Sequence, residues 1–171
     1  METGLALRVQ LLNVPVDCLD QDQALKCVEG FLLDGQRHQI VFLSLGRLLA
    51  GRINAEFRRC LREASLVLPI SPSIARGARF LGKGALTVYS PFTFVIRMLS
   101  LAERLNRTVY LLGGRKQELE KAERNLRDSF RNLRLVGRPL AASRQGRANL
   151  LSLFTGLIYW LLVLFAKLFR R

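Results

Sequence analysis

Short apolar runs separated by polar turns recur along most of the chain. Continuous runs of this kind are typical of strands that are covered on both faces of a sheet. The pattern predicts strands at residues 7–16, 40–43, 66–68, 108–112 and 133–136, and a weaker extended segment at 85–89.

Segments with apolar positions three and four residues apart lie between these runs and predict helices. The first begins after Asp20, which is placed as an N-cap, and has Ala24, Val28, Phe31 and Leu32 on one face. Further helices are predicted at residues 54–63, 73–81 with Ser73 as N-cap, 91–105 and 117–130. Because strand and helix alternate, we predict an α/β fold, a Rossmann-like parallel sheet with crossover helices, plus a C-terminal hydrophobic helix.

The C-terminal hydrophobic helix is predicted because residues 148–166 contain no charged side chain. Their number is close to the roughly 20 residues that cross a bilayer as a helix. A spanning helix, a helix in the membrane interface and a helix packed on the domain all remain open. Apolar residues surround the segment, which disfavours the interfacial position, whereas Trp160 in its middle disfavours spanning, since aromatic belts form at the ends.

These patterns predict three regions. Residues 1–137 form a Rossmann-like domain, residues 138–147 a linker, and residues 148–171 a membrane-associating helix with a basic end. The predicted membrane-binding residues are Trp160, Lys167, Arg170 and Arg171.

The chain is strongly basic, with 27 Lys and Arg against 13 Asp and Glu and a formal net charge of +14. Its surface should attract anions. Charge alone does not choose between nucleic acid, acidic lipid headgroups and the diphosphate of an activated sugar or lipid. Aromatic residues do not interleave with the arginine cluster Arg58, Arg59 and Arg62, which disfavours single-strand binding. We therefore expect no nucleic-acid partner.

The residues of metal and nucleophile chemistry are few. Cys18, Cys27 and Cys60 show no CxxC spacing, so we expect buried structural thiols in a reducing compartment. His38 is the single histidine, which excludes metal sites and triads that need a second one. We expect His38 to be exposed.

The ends of the predicted strands offer the candidate binding residues, because ligands of open α/β sheets bind where strands end and helices begin. Residues 44–46 are predicted as a loop after one strand, and residues 69–73 turn from the next strand into a helix. Gly113 and Gly114 lie between a strand and a helix, which suits the approach of a phosphate to the backbone. A tight turn explains the same pair equally well.

Several blocks of sequence in one order resemble a known family. The blocks are Asn-Val-Pro-Val-Asp at 13–17, Ile-Val-Phe-Leu-Ser at 40–44, Ala-Ser-Leu-Val-Leu-Pro at 64–69, Val-Tyr-Leu-Leu-Gly-Gly at 109–114 and Leu-Arg-Leu-Val-Gly at 133–137. Together they resemble the WecG/TagA/CpsF family of bacterial glycosyltransferases.

The resemblance implies a function. Members transfer a sugar, typically of the N-acetylmannosamine type, from a UDP donor to a polyprenyl-diphosphate-linked acceptor with inversion. They work without metal or other cofactor on the cytoplasmic face of the bacterial inner membrane, in cell-surface polysaccharide or glycolipid biosynthesis. The implied substrate-binding residues are Ser44, Ser71, Arg79, Gly113 and Gly114.

The chain departs from the family pattern where chemistry is expected. The family's proposed general base, an Asp, falls on Ile70, and its Gly-x-Asp segment falls on residues 91–93. Its C-terminal Gln-Glu unit is replaced by the linker and the hydrophobic segment. We therefore assign no catalytic residue and keep two hypotheses, an active glycosyltransferase and a catalytically degenerate, membrane-anchored relative that binds a lipid diphosphate or a protein partner. A homo-oligomer is compatible with both.

Overall fold

The computed structural model describes residues 8–111 and 116–136. The chain divides into two units, Met1–Val95 and Ile96–Arg171. In chain order the elements are β1 Arg8–Leu11, β2 Val14–Asp17, α1 Gln21–Leu33, β3 Ile40–Leu43, α2 Leu45–Ile53, α3 Ala55–Glu63, β4 Leu66–Pro69, α4 Pro72–Phe80, α5 Pro91–Arg104, β5 Thr108–Val109, α6 Lys116–Ser129 and β6 Arg134–Leu135. The described part is a mixed α/β fold with short parallel strand pairs, and the predicted α/β class is confirmed at this level.

The first predicted strand is wrong in its extent, because residues 7–16 do not form one strand. β1 and β2 are an antiparallel hairpin with Leu11 opposite Val14. The two turn residues, Leu12 and Asn13, both have positive φ angles of 53° and 65°. Two consecutive positive φ angles are the geometry of a type I′ turn, the two-residue turn that matches strand twist.

The first helix confirms the predicted N-cap. The Asp20 carboxylate accepts hydrogen bonds from the N–H groups of Asp22 and Gln23, at 2.9 and 2.7 Å, and the Gln23 side chain accepts from the Asp20 N–H. This reciprocal capping box satisfies donors that a helix start otherwise leaves unpaired. Ala24 and Val28 are buried, as the helical spacing predicts.

The predicted loop at residues 44–46 is wrong, because α2 begins at Leu45. Ser44 is its N-cap, and the helix buries Leu48 and Gly51. α3 follows after a single residue, Asn54, whose side chain accepts from the Phe57 N–H at 2.9 Å. Asn54 therefore ends one helix and caps the next.

β3 and β4 are parallel and in register from Ile40 opposite Leu66 to Leu43 opposite Pro69. All four residues of β4 are buried, and the hairpin strand β2 also contacts β4. Apolar side chains from these strands, from the helices of the first unit and from the segment before α5 form its core: Val14, Val16, Val41, Leu43, Leu48, Phe57, Leu61, Leu66, Val67, Leu68, Ile74, Ala78, Tyr89 and Phe94.

Two predicted features after β4 differ from the structure. The N-cap of α4 is Ser71 rather than Ser73, because Pro72 occupies the first helical turn, where its missing N–H costs nothing. Residues 85–89 form no strand. α5 does begin at Pro91, as predicted.

In the second unit, β5 and β6 form a parallel pair with Thr108 opposite Arg134. α5 ends with Asn106 in the left-handed region at φ 55°, and the Arg107 N–H bonds the Ala102 carbonyl at 2.8 Å. The Asn132 N–H donates to the Glu103 carboxylate at 2.8 Å. Leu101, Ala102, Leu119, Ala122, Leu126 and Leu133 are buried.

The three cysteines are free thiols and half-buried, so the prediction of buried thiols is wrong in degree. Within the described ranges, no helix is both long and apolar enough to cross a membrane. The predicted linker, 138–147, and the predicted C-terminal helix, 148–171, lie outside the described residues.

Candidate functional site

The carboxyl ends of β3 and β4 lie side by side. Leu43 is opposite Pro69, and the Ile70 N–H extends the pairing by donating to the Leu43 carbonyl at 3.0 Å. α2 begins one residue after Ser44 and α4 one residue after Ser71. The structure therefore brings two predicted binding residues, Ser44 and Ser71, to one edge, which we call the carboxyl edge.

A third helix begins at the same edge. The Tyr89 N–H donates to the Pro69 carbonyl at 2.8 Å, beside the end of β4. Ser90 follows, and its hydroxyl accepts from the N–H of Thr93 at 3.5 Å and lies 3.2 Å from the Thr93 hydroxyl. Ser90 is not among the predicted binding residues, although a serine directly before a first-turn proline is a recognisable helix start.

Helix N-termini attract anions, because their first N–H groups lack helical partners and carry partial positive charge. The Ser44 hydroxyl accepts from the Arg47 N–H at 3.4 Å. Ser71, by contrast, makes no side-chain capping hydrogen bond. The two serines are therefore not equivalent, since the Ser71 hydroxyl is not engaged in capping its own helix.

Arg47, which is not among the predicted binding residues, adds a cation in the first turn of α2. Its guanidinium donates to the Phe42 carbonyl at 3.2 Å. The side chain is half-buried, and burial lowers the pKa of Arg47 from its ordinary value. Arginine nevertheless stays protonated in proteins, so this position supplies fixed positive charge near the carboxyl edge.

Tyr89 lies two residues before the start of α5 and is held there by buried contacts. Its buried hydroxyl donates to the carbonyls of Leu19 and Asp20, at 2.8 and 3.1 Å. Its ring meets that of Phe94 edge to face, with 5.5 Å between centroids. Burial, followed by the charges of nearby acids, raises the pKa of Tyr89, so the phenol is a neutral donor.

Acidic side chains near these elements are engaged elsewhere. The Asp17 carboxylate is buried and accepts from Arg8 and from the Val67 N–H, and Asp20 caps α1. Among residues 44–46 and 70–72, which follow β3 and β4, none is acidic. Ile70, half-buried at the edge, has no proton acceptor in its side chain.

Of the remaining predicted residues the structure describes Arg79, which is not brought to this edge. Arg79 is in the last turn of α4, eight residues from Ser71 and hence about 12 Å along the helix axis. Gly113 and Gly114 lie outside the described residues, as do Trp160, Lys167, Arg170 and Arg171.

Comparison with protein families decides the kinship. Residues 9–147 match the family described as "Glycosyl transferase WecG/TagA/CpsF family". The chain belongs to the WecG/TagA/CpsF glycosyltransferase family. This confirms the resemblance that the sequence blocks indicated.

The WecG/TagA/CpsF match covers every element from β2 to β6 and all residues of the carboxyl edge. A search of curated proteins finds no match to the chain. The family assignment therefore rests on the family match and on the residue blocks.

Proposed function

We propose that the protein transfers a sugar of the N-acetylmannosamine type from a UDP donor to a polyprenyl-diphosphate-linked acceptor. The reaction would contribute to cell-surface polysaccharide or glycolipid biosynthesis on the cytoplasmic face of the bacterial inner membrane. The observation that carries this proposal is the family match over residues 9–147. We also propose that the domain has the family's Rossmann-like sheet and that the transfer needs no metal or other cofactor.

The donor's diphosphate would bind at the carboxyl edge. Three helices begin there, directly after Ser44, Ser71 and Ser90. The partial positive charge at a helix N-terminus favours phosphate oxygens. Arg47 adds a full charge in the first turn of α2. Because the Ser71 hydroxyl makes no capping hydrogen bond, it is available to donate one directly to the ligand. Gly113 and Gly114 remain proposed substrate-binding residues.

In the transfer, an acceptor hydroxyl oxygen would form a bond to the anomeric carbon on the face opposite UDP, and the bond from that carbon to the diphosphate oxygen would break. The electron pair leaves with UDP, and the hydroxyl proton must pass to a base. The helix N-termini would stabilise the charge that develops on the diphosphate. Ile70 cannot take the proton, so the typical 10²–10⁴-fold gain from general-base catalysis is not available from that position.

The absence of a proton acceptor in the Ile70 side chain favours a second candidate, a catalytically degenerate, membrane-anchored relative. It would bind a lipid diphosphate at the same edge, or a protein partner, and transfer no sugar. In both candidates residues 138–147 would link the domain to a membrane-associating segment, 148–171, with Trp160, Lys167, Arg170 and Arg171 at the membrane. Neither candidate uses nucleic acid, and a homo-oligomer fits both.

Ligand-induced thermal stabilisation separates the two candidates, because a ligand that binds only the folded state raises Tm. At 100 times its Kd a ligand contributes about 2.7 kcal/mol, which corresponds to several degrees. The full chain in detergent would be heated with UDP-sugars and, separately, with a polyprenyl diphosphate. Stabilisation by a UDP-sugar is expected for the transferase, and stabilisation by the lipid diphosphate alone for the degenerate relative. Stabilisation by neither would contradict the transferase and the lipid-diphosphate form of the relative.

A further inference from the structure

The C-terminal end of α4 holds one aromatic side chain in solvent. The Lys83 N–H bonds the Ala78 carbonyl at 2.8 Å, the Gly82 N–H bonds the Arg79 carbonyl at 3.1 Å, and Gly82 has φ 67°. These contacts form a Schellman motif, which fixes the end of the helix. Phe80, its last residue, is 90% exposed, and the following Leu81 is 48% exposed.

Three cations lie near the exposed side chains of Phe80 and Leu81 at the end of α4. Arg76 lies one helical turn before Phe80, Arg79 is its neighbour, and Lys83 follows the turn, and all three are exposed. No Asp or Glu occurs anywhere between Glu63 and Glu103. The tip therefore combines exposed apolar area with positive charge and without an acidic residue along its own stretch of chain.

Other strongly exposed apolar side chains of the first unit have different neighbours. Leu33, at the end of α1, is followed by Asp34. Ile53, at the end of α2, follows Arg52 and lies three residues before Glu56, so its neighbours along the chain carry both signs of charge. Acidic neighbours repel an anionic surface, whereas the tip of α4 would attract one. An anionic surface should therefore bind the end of α4 in preference to the surfaces around Leu33 and Ile53.

We propose that Arg76, Arg79, Phe80, Leu81 and Lys83, which we call the α4 tip, dock on an anionic phospholipid bilayer. Phe80 and Leu81 would enter the boundary between headgroups and acyl chains, while the three cations contact lipid phosphates. The contact is separate from the predicted C-terminal segment and does not depend on sugar transfer. It would assign Arg79 to lipid headgroups and not to the donor's diphosphate.

The docked tip has a consequence for the carboxyl edge if the proposed function holds. α4 has nine residues and is therefore about 14 Å long. Because the edge lies at its other end, docking would hold the edge within about one helix length of the lipid headgroups. A lipid-linked acceptor would then be near the donor site.

A tryptophan placed at position 80 reports docking directly. Trp160 is the only tryptophan of the chain, so Phe80→Trp in a Trp160→Phe background gives a single probe in the full-length protein. The protein would be reconstituted with vesicles of phosphatidylcholine with or without phosphatidylglycerol, some carrying brominated acyl chains. We expect a blue shift and quenching at position 80 on anionic vesicles only. Leu33→Trp in the same background is the matched control and should show neither.

Charge variants test the electrostatic part. Each basic residue near an anionic leaflet adds about 1 kcal/mol, or about fivefold, so Arg79→Gln with Lys83→Gln should weaken docking by about 25-fold. Arg59→Gln with Arg62→Gln removes the same charge from α3 and should leave the quenching unchanged.

Three outcomes would overturn the proposal. The first is an unquenched indole at position 80, whether or not flotation shows that the chain is bound to the vesicles. The second is equal quenching at positions 33 and 80. The third is an emission shift caused by RNA or by another protein and not by vesicles. Sugar transfer assayed in detergent is independent of docking, so failure of either proposal can be recognised separately.

Discussion

The Asp17 carboxylate accepts a hydrogen bond of 2.6 Å from the backbone N–H of Val67, in the middle of β4. One side of β4 is paired with β3, and on its other side Val67 uses this carboxylate in place of a strand. Arg8 donates to both oxygens of Asp17, at 2.6 and 2.9 Å, and also to the carbonyls of Ala64 and Ser65. One buried acid thus joins the hairpin to the strand that ends at the candidate site.

Asp17→Asn should destabilise the protein strongly. The Asp17 side chain is fully buried, whereas that of Arg8 is 29% exposed. The cost should therefore not exceed about 3–5 kcal/mol, which is typical when one partner of a fully buried ion pair is altered. We expect a loss near the lower end, since the amide can still accept from Val67. Urea unfolding followed by circular dichroism measures it. Glu63→Gln removes a carboxylate from the exposed pair with Arg59 and should cost much less, because exposed ion pairs contribute little to stability. Equal losses in the two variants would refute the structural role of Asp17.

Gly51→Ala should also destabilise, by overpacking. A Cβ at Gly51 would lie 3.0 Å from Val14 Cγ2 and 3.1 Å from Leu61 Cδ1. Overpacking of a core costs about 1–3 kcal/mol. Gly30→Ala is the matched control, because its Cβ would meet nothing within 4 Å and alanine favours a helix by about 0.5–1 kcal/mol over glycine. The unfolding midpoints should move in opposite directions, and a stabilising Gly51→Ala would show that α2 is not packed as described.

Tyr89→Phe should cost about 1–3 kcal/mol at neutral pH, because the buried carbonyl of Leu19 loses its donor. Since burial raises the pKa of Tyr89 in the folded state, its stabilising effect is fully present below the ordinary tyrosine pKa, about 10, and is lost as pH rises above it. The difference in unfolding free energy between wild type and Tyr89→Phe should therefore shrink above pH 10. A difference that is constant from pH 8 to pH 11 would contradict this assignment.

The two edge serines should respond differently to alanine. Ser44 caps α2, so Ser44→Ala is expected to lower stability by about 0.5–1 kcal/mol. Ser71 makes no side-chain cap bond, so Ser71→Ala should change stability by less than about 0.5 kcal/mol. If the Ser71 hydroxyl binds ligand, this variant should instead reduce the Tm shift produced by a UDP-sugar. An unchanged shift would remove Ser71 from the site.

Local signals in the sequence predicted much of this architecture. Asp20 with Gln23 is a complete capping box within four residues, and Pro91 marks a helix start, so both helix beginnings could be placed. The hairpin was missed because its turn, Leu12-Asn13, lacks the glycine that usually identifies a type I′ turn. α2 was missed because Leu45, Leu49 and Ile53 are apolar yet exposed, which obscures the buried face of the helix.

The candidate site was predictable only where strands end. Ser44 and Ser71 follow buried runs and could be found from the pattern. Arg47 and Tyr89 could not, because their importance comes from burial and from partners distant in sequence, such as Leu19 for Tyr89. Arg79 was selected by its family position, and the length of α4 separates it from the edge.

Product formation from a UDP-sugar is the most direct test of whether the protein transfers a sugar. The full chain in detergent would be incubated with common UDP-sugars, beginning with the N-acetylmannosamine type, and a polyprenyl-diphosphate-linked acceptor, with UDP release and glycosylated lipid both quantified. Ser71→Ala and, as control, Ser100→Ala, whose hydroxyl bonds its own helix at Ile96, would be assayed in parallel. We expect a glycosylated lipid with inverted anomeric configuration, in an amount that Ser71→Ala reduces and Ser100→Ala does not. No lipid product with any of the UDP-sugars would contradict the proposed transferase activity.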